Sequence, residues 1–280
     1  MRLISYFVEG SASWGVLTDK GVIDLKLRGF GDTLKTAISS GKLEAISPTL
    51  LTETVPDLTS LQVTLDVPVP DAGKILAVGA NYSAHAAEMS RDVGGDPQFF
   101  LRLMESIVPH GAPIVKPLVS DHLDYEGELA IIIGKRGRHI PIEKAMEYVA
   151  GYSCFNDGTV RDYQKISLPV GKNFQASGSM GPWMVTAQSV NFPLDLTTRV
   201  NGETRQKDNT VNMTFPIPRL IEYASRFVTL EPGDIIATGT PSGVGARRNP
   251  PVWLADGDTL EVSITGVGIL MNQIVNETTE

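Results

Sequence analysis

The sequence is poor in the residues that most often carry metal and nucleophile chemistry, with one cysteine and four histidines in 280 residues. A single thiol, Cys154, excludes an internal disulfide framework, and its apolar setting reads as a buried, inert sulfur rather than a nucleophile. Basic runs are absent, and 24 Lys and Arg stand against 32 Asp and Glu, a net charge of -8. That balance argues against a nucleic-acid partner, which needs a positive footprint. No window approaches the ~20 apolar residues of a membrane span, and the stretch Met1-Arg2-Leu3-Ile4-Ser5-Tyr6-Phe7-Val8-Glu9-Gly10 is interrupted by charge too early for a signal peptide. The expectation is a cytoplasmic protein with no membrane partner. What is present is material for a core: 42% apolar and 20% charged residues suit one large domain, or a large domain with a small companion.

Residues 2 to 25 read as short strands joined by tight turns, among them Thr18-Asp19-Lys20-Gly21, followed by helix-like segments around 32 to 40 and 42 to 53. The stretch Asp66-Val67-Pro68-Val69-Pro70-Asp71-Ala72-Gly73 reads as a linker that its prolines keep extended. The expected division is a small α+β domain over 1–68 and a larger domain over 69–280. Strand-like runs recur at 74–79, 127–134, 148–155, 182–187, 196–201, 234–238 and 260–265, with few helical patterns between them. The expected class is therefore α+β and β-rich, a roll or barrel-like sheet system with peripheral helices.

Glu126 and Glu128 lie one residue apart where the chain enters the apolar run Leu129-Ala130-Ile131-Ile132-Ile133. A strand beginning at Tyr125 puts both carboxylates on one face, where like charges repel unless a cation sits between them. A solvated strand end is the alternative. Asp157 follows a second strand-like run at an Asn-Asp-Gly turn signal, and it reaches the pair if the two strands are neighbours. Aspartate is equally at home in turns and helix caps. Three carboxylates with no His or Cys nearby make a hard oxygen site, suited to Mg²⁺, Mn²⁺ or Ca²⁺ and not to zinc or copper.

Of the four histidines, His85 has an acidic partner at helical spacing in Glu88, which can fix the imidazole tautomer and raise its basicity; a surface ion pair is the alternative. The segment from Ser90 to Pro97 has the glycines and charge of a mobile loop. His110, His122 and His139 read as structural or surface residues. The run Gly239-Thr240-Pro241-Ser242-Gly243 comes after an apolar strand and suits either close backbone approach to an anion or sheet closure. It lacks the Gly-Lys-Ser ending of a nucleotide-phosphate loop. Gly178-Ser179-Met180-Gly181-Pro182-Trp183 admits the same two readings.

In combination these segments resemble the fumarylacetoacetate hydrolase family over nearly all of residues 74 to 275. The pieces that carry the resemblance are Val78-Gly79-Ala80-Asn81-Tyr82, Asp124-Tyr125-Glu126-Gly127-Glu128-Leu129, Gly151-Tyr152 with Asn156-Asp157, Arg161-Asp162-Tyr163-Gln164, Gly171-Lys172-Asn173-Phe174, Gly181-Pro182-Trp183, Asn201-Gly202-Glu203, Leu230-Glu231-Pro232-Gly233-Asp234 and Gly239-Thr240-Pro241-Ser242-Gly243, in the family's order. The resemblance implies a β-roll catalytic domain, usually a homodimer, of the shorter acylpyruvase-like and 2-hydroxyhepta-2,4-diene-1,7-dioate isomerase-like branch. It implies Mg²⁺ or Mn²⁺ held by Glu126, Glu128 and Asp157, with Lys172 beside the metal and the substrate oxygens. Arg161, Gln164 and Tyr82 would contact substrate, Thr240 would hold its carboxylate, and His85 with Glu88 would form a catalytic pair on a lid.

The activity this implies is hydrolysis of a C–C bond in acylpyruvates or related 1,3-diketo acids through a metal-stabilised enolate, with His85 activating water. The alternatives are decarboxylation of oxaloacetate, isomerisation or hydration of hydroxymuconate-type diacids, and, in a different class, non-catalytic binding of a metal or keto acid. Two departures bear on specificity. Many relatives follow the lysine with Ser-Phe-Asp, where this chain has Asn173-Phe174-Gln175, and Phe100-Leu101-Arg102 stands where Phe-x-Lys is common. Both are expected to alter which substrate group is bound.

Overall fold

The computed structural model describes residues 1–88 and 95–279, so most of the loop expected from Ser90 to Pro97 lies outside the described residues. The chain opens with a meander of three strands, Arg2–Val8, Ser11–Thr18 and Gly21–Asp24. Its first turn is the two-residue loop Glu9-Gly10, both with positive φ, which matches the twist of the paired strands. The helix Leu34–Ser39 starts where Thr33 Oγ1 accepts from Thr36 N at 3.1 Å, and it buries Leu34, Ala37 and Ile38. The second helical expectation resolves into a short 3₁₀ turn, Lys42–Ala45, and the helix Pro48–Glu53.

The meander is continuous with the main sheet. Arg2 and Leu3 pair antiparallel with Val185 and Met184 of the strand Gly178–Thr186. An eleven-stranded sheet therefore runs, in order, through Gly21–Asp24, Ser11–Thr18, Arg2–Val8, Gly178–Thr186, Val149–Asn156, Gly127–Ile133, Ile235–Ala237, Ile75–Gly79 and Gln98–Arg102. Two short strands, Thr64–Leu65 and Ile107–Pro109, pair on its flanks. A second sheet of five strands is ordered Glu203–Asn209, Asp195–Val200, Thr259–Ile264, Gly268–Asn276 and Ile114–Lys116. The result is the β-rich α+β roll with an N-terminal α+β unit that the sequence suggests.

The central strand Gly127–Ile133 is buried along its whole length because it serves two cores at once. Leu129, Ile131 and Ile133 pack with Leu196, Val262 and Ile264 of the second sheet and with Leu220, Ile221 and Ala224. Ala130 and Ile132 point the other way, onto Leu3, Trp14, Leu34 and Ile75. The period of two thus divides one apolar run between two packing layers, which is why it reads as continuous rather than alternating. Leu220, Ile221 and Ala224 belong to the helix Ile217–Phe227, which the sequence patterns did not single out. Its outer face is held by Glu222, which pairs with Arg219 and accepts from Arg226 Nε at 2.7 Å.

Candidate active site

The expected strand start at Tyr125 is displaced. Leu123–Asp124 pairs with Thr159–Val160 in a small separate sheet, and the long strand begins only at Gly127. The carboxylates converge nonetheless. Glu126, Glu128 and Asp157 are all buried, and each offers an oxygen within 4.8 Å of the others. Two backbone links set this up: Gly127 pairs with Asn156 across the sheet, and Asp157 N donates to Glu126 O at 2.8 Å. Residue 127 must be glycine, because a Cβ there would stand 2.0 Å from Thr198 Oγ1 of the second sheet. The solvated strand end is thereby ruled out.

Three buried cations face the acids. Lys172 Nζ lies 2.6 Å from Glu126 Oε2 and 2.5 Å from Asp157 Oδ2, and it also donates to Asp157 O at 3.1 Å. Arg161 reaches Glu126 Oε1 at 2.7 Å and donates to Asp124 Oδ2 at 2.7 Å. Arg102 donates to Asp157 Oδ1 at 2.6 Å. Burial pushes Glu126 up, but Lys172, Arg161 and His85 outweigh it and hold the carboxyl down to about 2. Glu128 has no ion-pair partner among the described residues, and its one hydrogen bond comes from Gly239 N at 2.8 Å. Burial, then Asp157 and Glu126, push its carboxyl well above the usual range.

Among the described residues, Asp124, Glu126 and Asp157 pair with Arg102, Arg161 and Lys172, and Glu128 alone of the four acids has no cation beside it. A buried carboxylate without a counter-ion, in a cluster of hard oxygens, fits a divalent cation.

His85 is 4% exposed and lines the same cleft as Glu126, Asp157, Arg161, Gln164, Lys172 and Thr240. It sits on the short helix Ser83–Glu88, where its Nδ1 is 3.1 Å from Glu88 Oε2. Gly243 N donates to the Glu88 carboxylate at 3.1 and 3.3 Å, tying the pair to the glycine-rich loop. Gly243 has φ +102, and a Cβ on it would meet Arg205 O at 2.2 Å, so the loop comes this close only with glycine there. The surface ion pair is therefore not what His85 and Glu88 form.

Two expected contacts differ in detail. Tyr82 is wholly buried in the larger core, its hydroxyl has no partner among the described residues, and it is not part of the cleft wall. Thr240 does line the cleft, but its hydroxyl donates to Gly127 O at 2.9 Å and accepts from Gln206 Nε2 at 2.8 Å, so holding a substrate carboxylate would require that hydroxyl to turn.

The two departures from the family pattern also act away from the substrate. Asn173 accepts from Leu103 N at 2.7 Å and donates to Leu101 O and Pro169 O, fastening backbone to backbone, while Gln175 lines a separate surface groove. Arg102 lies behind Asp157 and outside the cleft wall.

Sequence reading assigned no role to two further residues. Asp124 accepts from Arg161 Nε and from the backbone of Gly245 and Ala246, which fixes Arg161 against the site; it sits in a quoted motif, but nothing there marked it as buried. Gln206 accepts from Gly127 N at 3.0 Å and donates to Thr240 Oγ1 and Pro241 O, stapling the second sheet to the site. It is a lone amide in the polar strand Glu203–Asn209, and no pattern singles it out.

A two-sheet roll with a buried carboxylate triad, a lysine within it and an oriented histidine across the cleft defines an enzyme of the divalent-cation, carboxylate-triad class. The pattern described as fumarylacetoacetate (FAA) hydrolase C-terminal matches residues 74–275. The chain is 45% identical over 222 residues to oxaloacetate tautomerase YisK of Bacillus subtilis (strain 168), covering 76% of this chain and 73% of that protein. It is 39% identical over 267 residues to the mitochondrial oxaloacetate tautomerase FAHD2A of Bos taurus, covering 91% of this chain and 84% of that protein. Maleylpyruvate hydrolase from Sphingobium sp. SYK-6, solved with manganese(II) and pyruvate, superposes with a TM-score of 0.83 at 33% identity, covering 99% of this chain and 100% of that one. The chain belongs to the fumarylacetoacetate hydrolase family. No helix among the described residues is long and apolar enough to cross a membrane.

Proposed function

We propose that this enzyme interconverts the keto and enol forms of oxaloacetate or a closely related short 2-oxo dicarboxylate. The observation that carries the reading is the placement of an oriented His85 and of Lys172 in one cleft with Glu126 and Asp157 of the triad, and the tautomerase relatives at 39–45% identity favour it over hydrolysis. Bound by Glu126, Glu128 and Asp157, Mg²⁺ or Mn²⁺ would supply Lewis-acid polarisation of the substrate's oxo group. The protein's own groups do the rest. Glu88 accepts the Nδ1 proton of His85 and leaves the Nε2 lone pair as the base.

His85 Nε2 takes a proton from C3 of the keto acid. The C–H electron pair becomes the C2–C3 double bond, and the carbonyl pair moves onto the 2-oxygen. That oxygen takes a proton from solvent to give the enol while His85 Nε2 releases its proton to solvent, and ketonisation runs the same steps in reverse. Lys172, whose three N–H groups are held by Glu126 Oε2, Asp157 Oδ2 and Asp157 O, contributes its positive charge. Arg161 and Gln164, linked by Arg161 Nη1 to Gln164 Oε1 at 3.0 Å, line the pocket for the rest of the acid. Neither direction consumes water.

Hydrolysis of acylpyruvates is the second reading, favoured by the maleylpyruvate hydrolase neighbour; it asks the same histidine to activate a water. The working assembly in this reading is a homodimer, and the compartment the cytoplasm. The test is to follow ketonisation of enol oxaloacetate by loss of its ultraviolet absorbance with Mg²⁺ or Mn²⁺, alongside CO₂ release and cleavage of acetylpyruvate. Tautomerisation well above the buffer rate, lost in Glu126→Ala, supports the proposal. Cleavage of acetylpyruvate without accelerated tautomerisation would move the assignment to hydrolase, and CO₂ release alone to decarboxylase.

A further inference from the structure

Arg102 stands where the family resemblance leads one to expect lysine, and it ends the strand Gln98–Arg102 with its side chain wholly buried. All three guanidinium nitrogens are engaged. Nη1 donates to Asp157 Oδ1 at 2.6 Å and to Gly158 O at 3.1 Å. Nε donates to Ser106 Oγ at 3.2 Å, and Nη2 to Ser177 Oγ at 3.3 Å and Ser106 O at 3.5 Å. Residue 178 is glycine, and a Cβ there would stand 2.7 Å from Asn156 O and 2.9 Å from Nη2, so the guanidinium and the neighbouring strand both press on this position. An ammonium has no planar fork and could not span these partners at once.

We propose that Arg102 is a positioning residue that holds Asp157 by Oδ1, so that Oδ2 alone is turned into the triad. Oδ2 is the oxygen that shares Lys172 Nζ with Glu126 Oε2, which marks the side of Asp157 facing the other acids. With Oδ1 committed, the carboxylate can neither rotate nor offer both oxygens, and its direction is set by Ser106, Gly158 and Ser177 through the guanidinium. This inference rests on the reading of the triad as a divalent-cation site.

The test is calorimetric titration of metal-free protein with Mn²⁺, with the electron paramagnetic resonance spectrum of the bound ion, on wild type, Arg102→Lys and Ser177→Ala. Lysine keeps the charge, so any change reports direction rather than electrostatics. Arg102→Lys should bind Mn²⁺ about 10- to 100-fold more weakly, with an altered spectrum and with kcat falling more than KM rises. Ser177→Ala, which removes one outer partner, should weaken binding about threefold. Wild-type affinity and spectrum in Arg102→Lys, whatever its melting temperature, would overturn the proposal. If Arg102→Lys does not fold, Ser177→Ala decides in the same way: weaker binding supports the proposal and unchanged binding overturns it. Absence of Mn²⁺ binding in the wild type would overturn the cation reading and this inference together, a result distinct from failure in the variants alone.

Discussion

Replacing Glu128 by glutamine should remove both the site's loss of stability with rising pH in the absence of metal and its gain of stability with metal. Glu128 is 1% exposed and without an ion pair, and burial beside Asp157 and Glu126 raises its folded pKa. A carboxyl with a raised folded pKa binds more protons folded than unfolded, so its contribution to stability falls as pH rises from the unfolded value toward the folded one. The slope is about 1.4 kcal/mol per pH unit across the window that opens at the unfolded carboxylate value. Glu126 has the opposite sign, but its transition is displaced to about 2, below this window. Glutamine keeps the volume and the acceptor for Gly239 N, and it does not titrate. With a chelator present, the melting temperature of wild type relative to Glu128→Gln should therefore fall as pH rises through that window, at about 2–4 °C per kcal/mol. Saturating Mn²⁺ should reverse the order, because a cation at 100 times its Kd adds about 2.7 kcal/mol to a protein that binds it and nothing to one that has lost a ligand. Parallel melting curves for the two proteins at every pH without metal would refute the argument.

His85→Ala should lower tautomerisation by about 10²- to 10⁴-fold while leaving calorimetric Mn²⁺ affinity at the wild-type value, since the imidazole is a base and not a ligand. Asp124→Asn removes the charged partner of Arg161 Nε in a buried network, and urea unfolding should register a loss of about 3–5 kcal/mol. Gln206→Leu strands the Gly127 N–H between the two glutamates, with an expected cost of about 1–3 kcal/mol by the same measurement. Oxalate, a dianionic mimic of the enolate, should give no heat of binding with a chelator present and a clear isotherm with Mn²⁺.

The strands and the metal-type site were legible in the sequence because each rests on a local pattern. The run from Leu129 to Ile133 is apolar without a break because both of its faces are buried, and the Asn156-Asp157-Gly158 turn marks where the paired strand ends beside it. Glu126 and Glu128 share a site even though the strand starts two residues later than expected, because the link from Asp157 N to Glu126 O holds the irregular stretch in place. What local pattern does not encode is which face of a polar residue meets another part of the fold. Gln206 comes to Gly127 from a strand of the second sheet, and Tyr82, inside a family motif, is buried in the larger core and takes no part in the cleft wall. Arg102 looked like a change in substrate recognition because it is near the pocket in sequence terms; its guanidinium is spent on Asp157 and on Ser106, Gly158 and Ser177.

The charge balance explains why so many buried ions occupy one small site. Two of the three cations touch acids that would otherwise repel one another: Lys172 joins Glu126 to Asp157, and Arg161 joins Glu126 to Asp124. The fourth acid, Glu128, has no cation of its own among the described residues, and burial beside Asp157 and Glu126 favours its protonated form while no cation is bound, so cation binding would displace a proton there. A divalent ion held by the ionised triad would leave the cleft net positive and so favour a dianionic oxo acid. The same excess then stabilises charge that develops on the 2-oxygen, whichever bond to carbon is broken next. Tautomerisation needs the His85 proton shuttle at C3 and a proton exchanged at the 2-oxygen, whereas hydrolysis needs a water admitted beside that histidine as nucleophile. On one scaffold, the choice between the two reactions therefore lies in how completely His85 and the loop that Glu88 grips exclude water from the closed cleft.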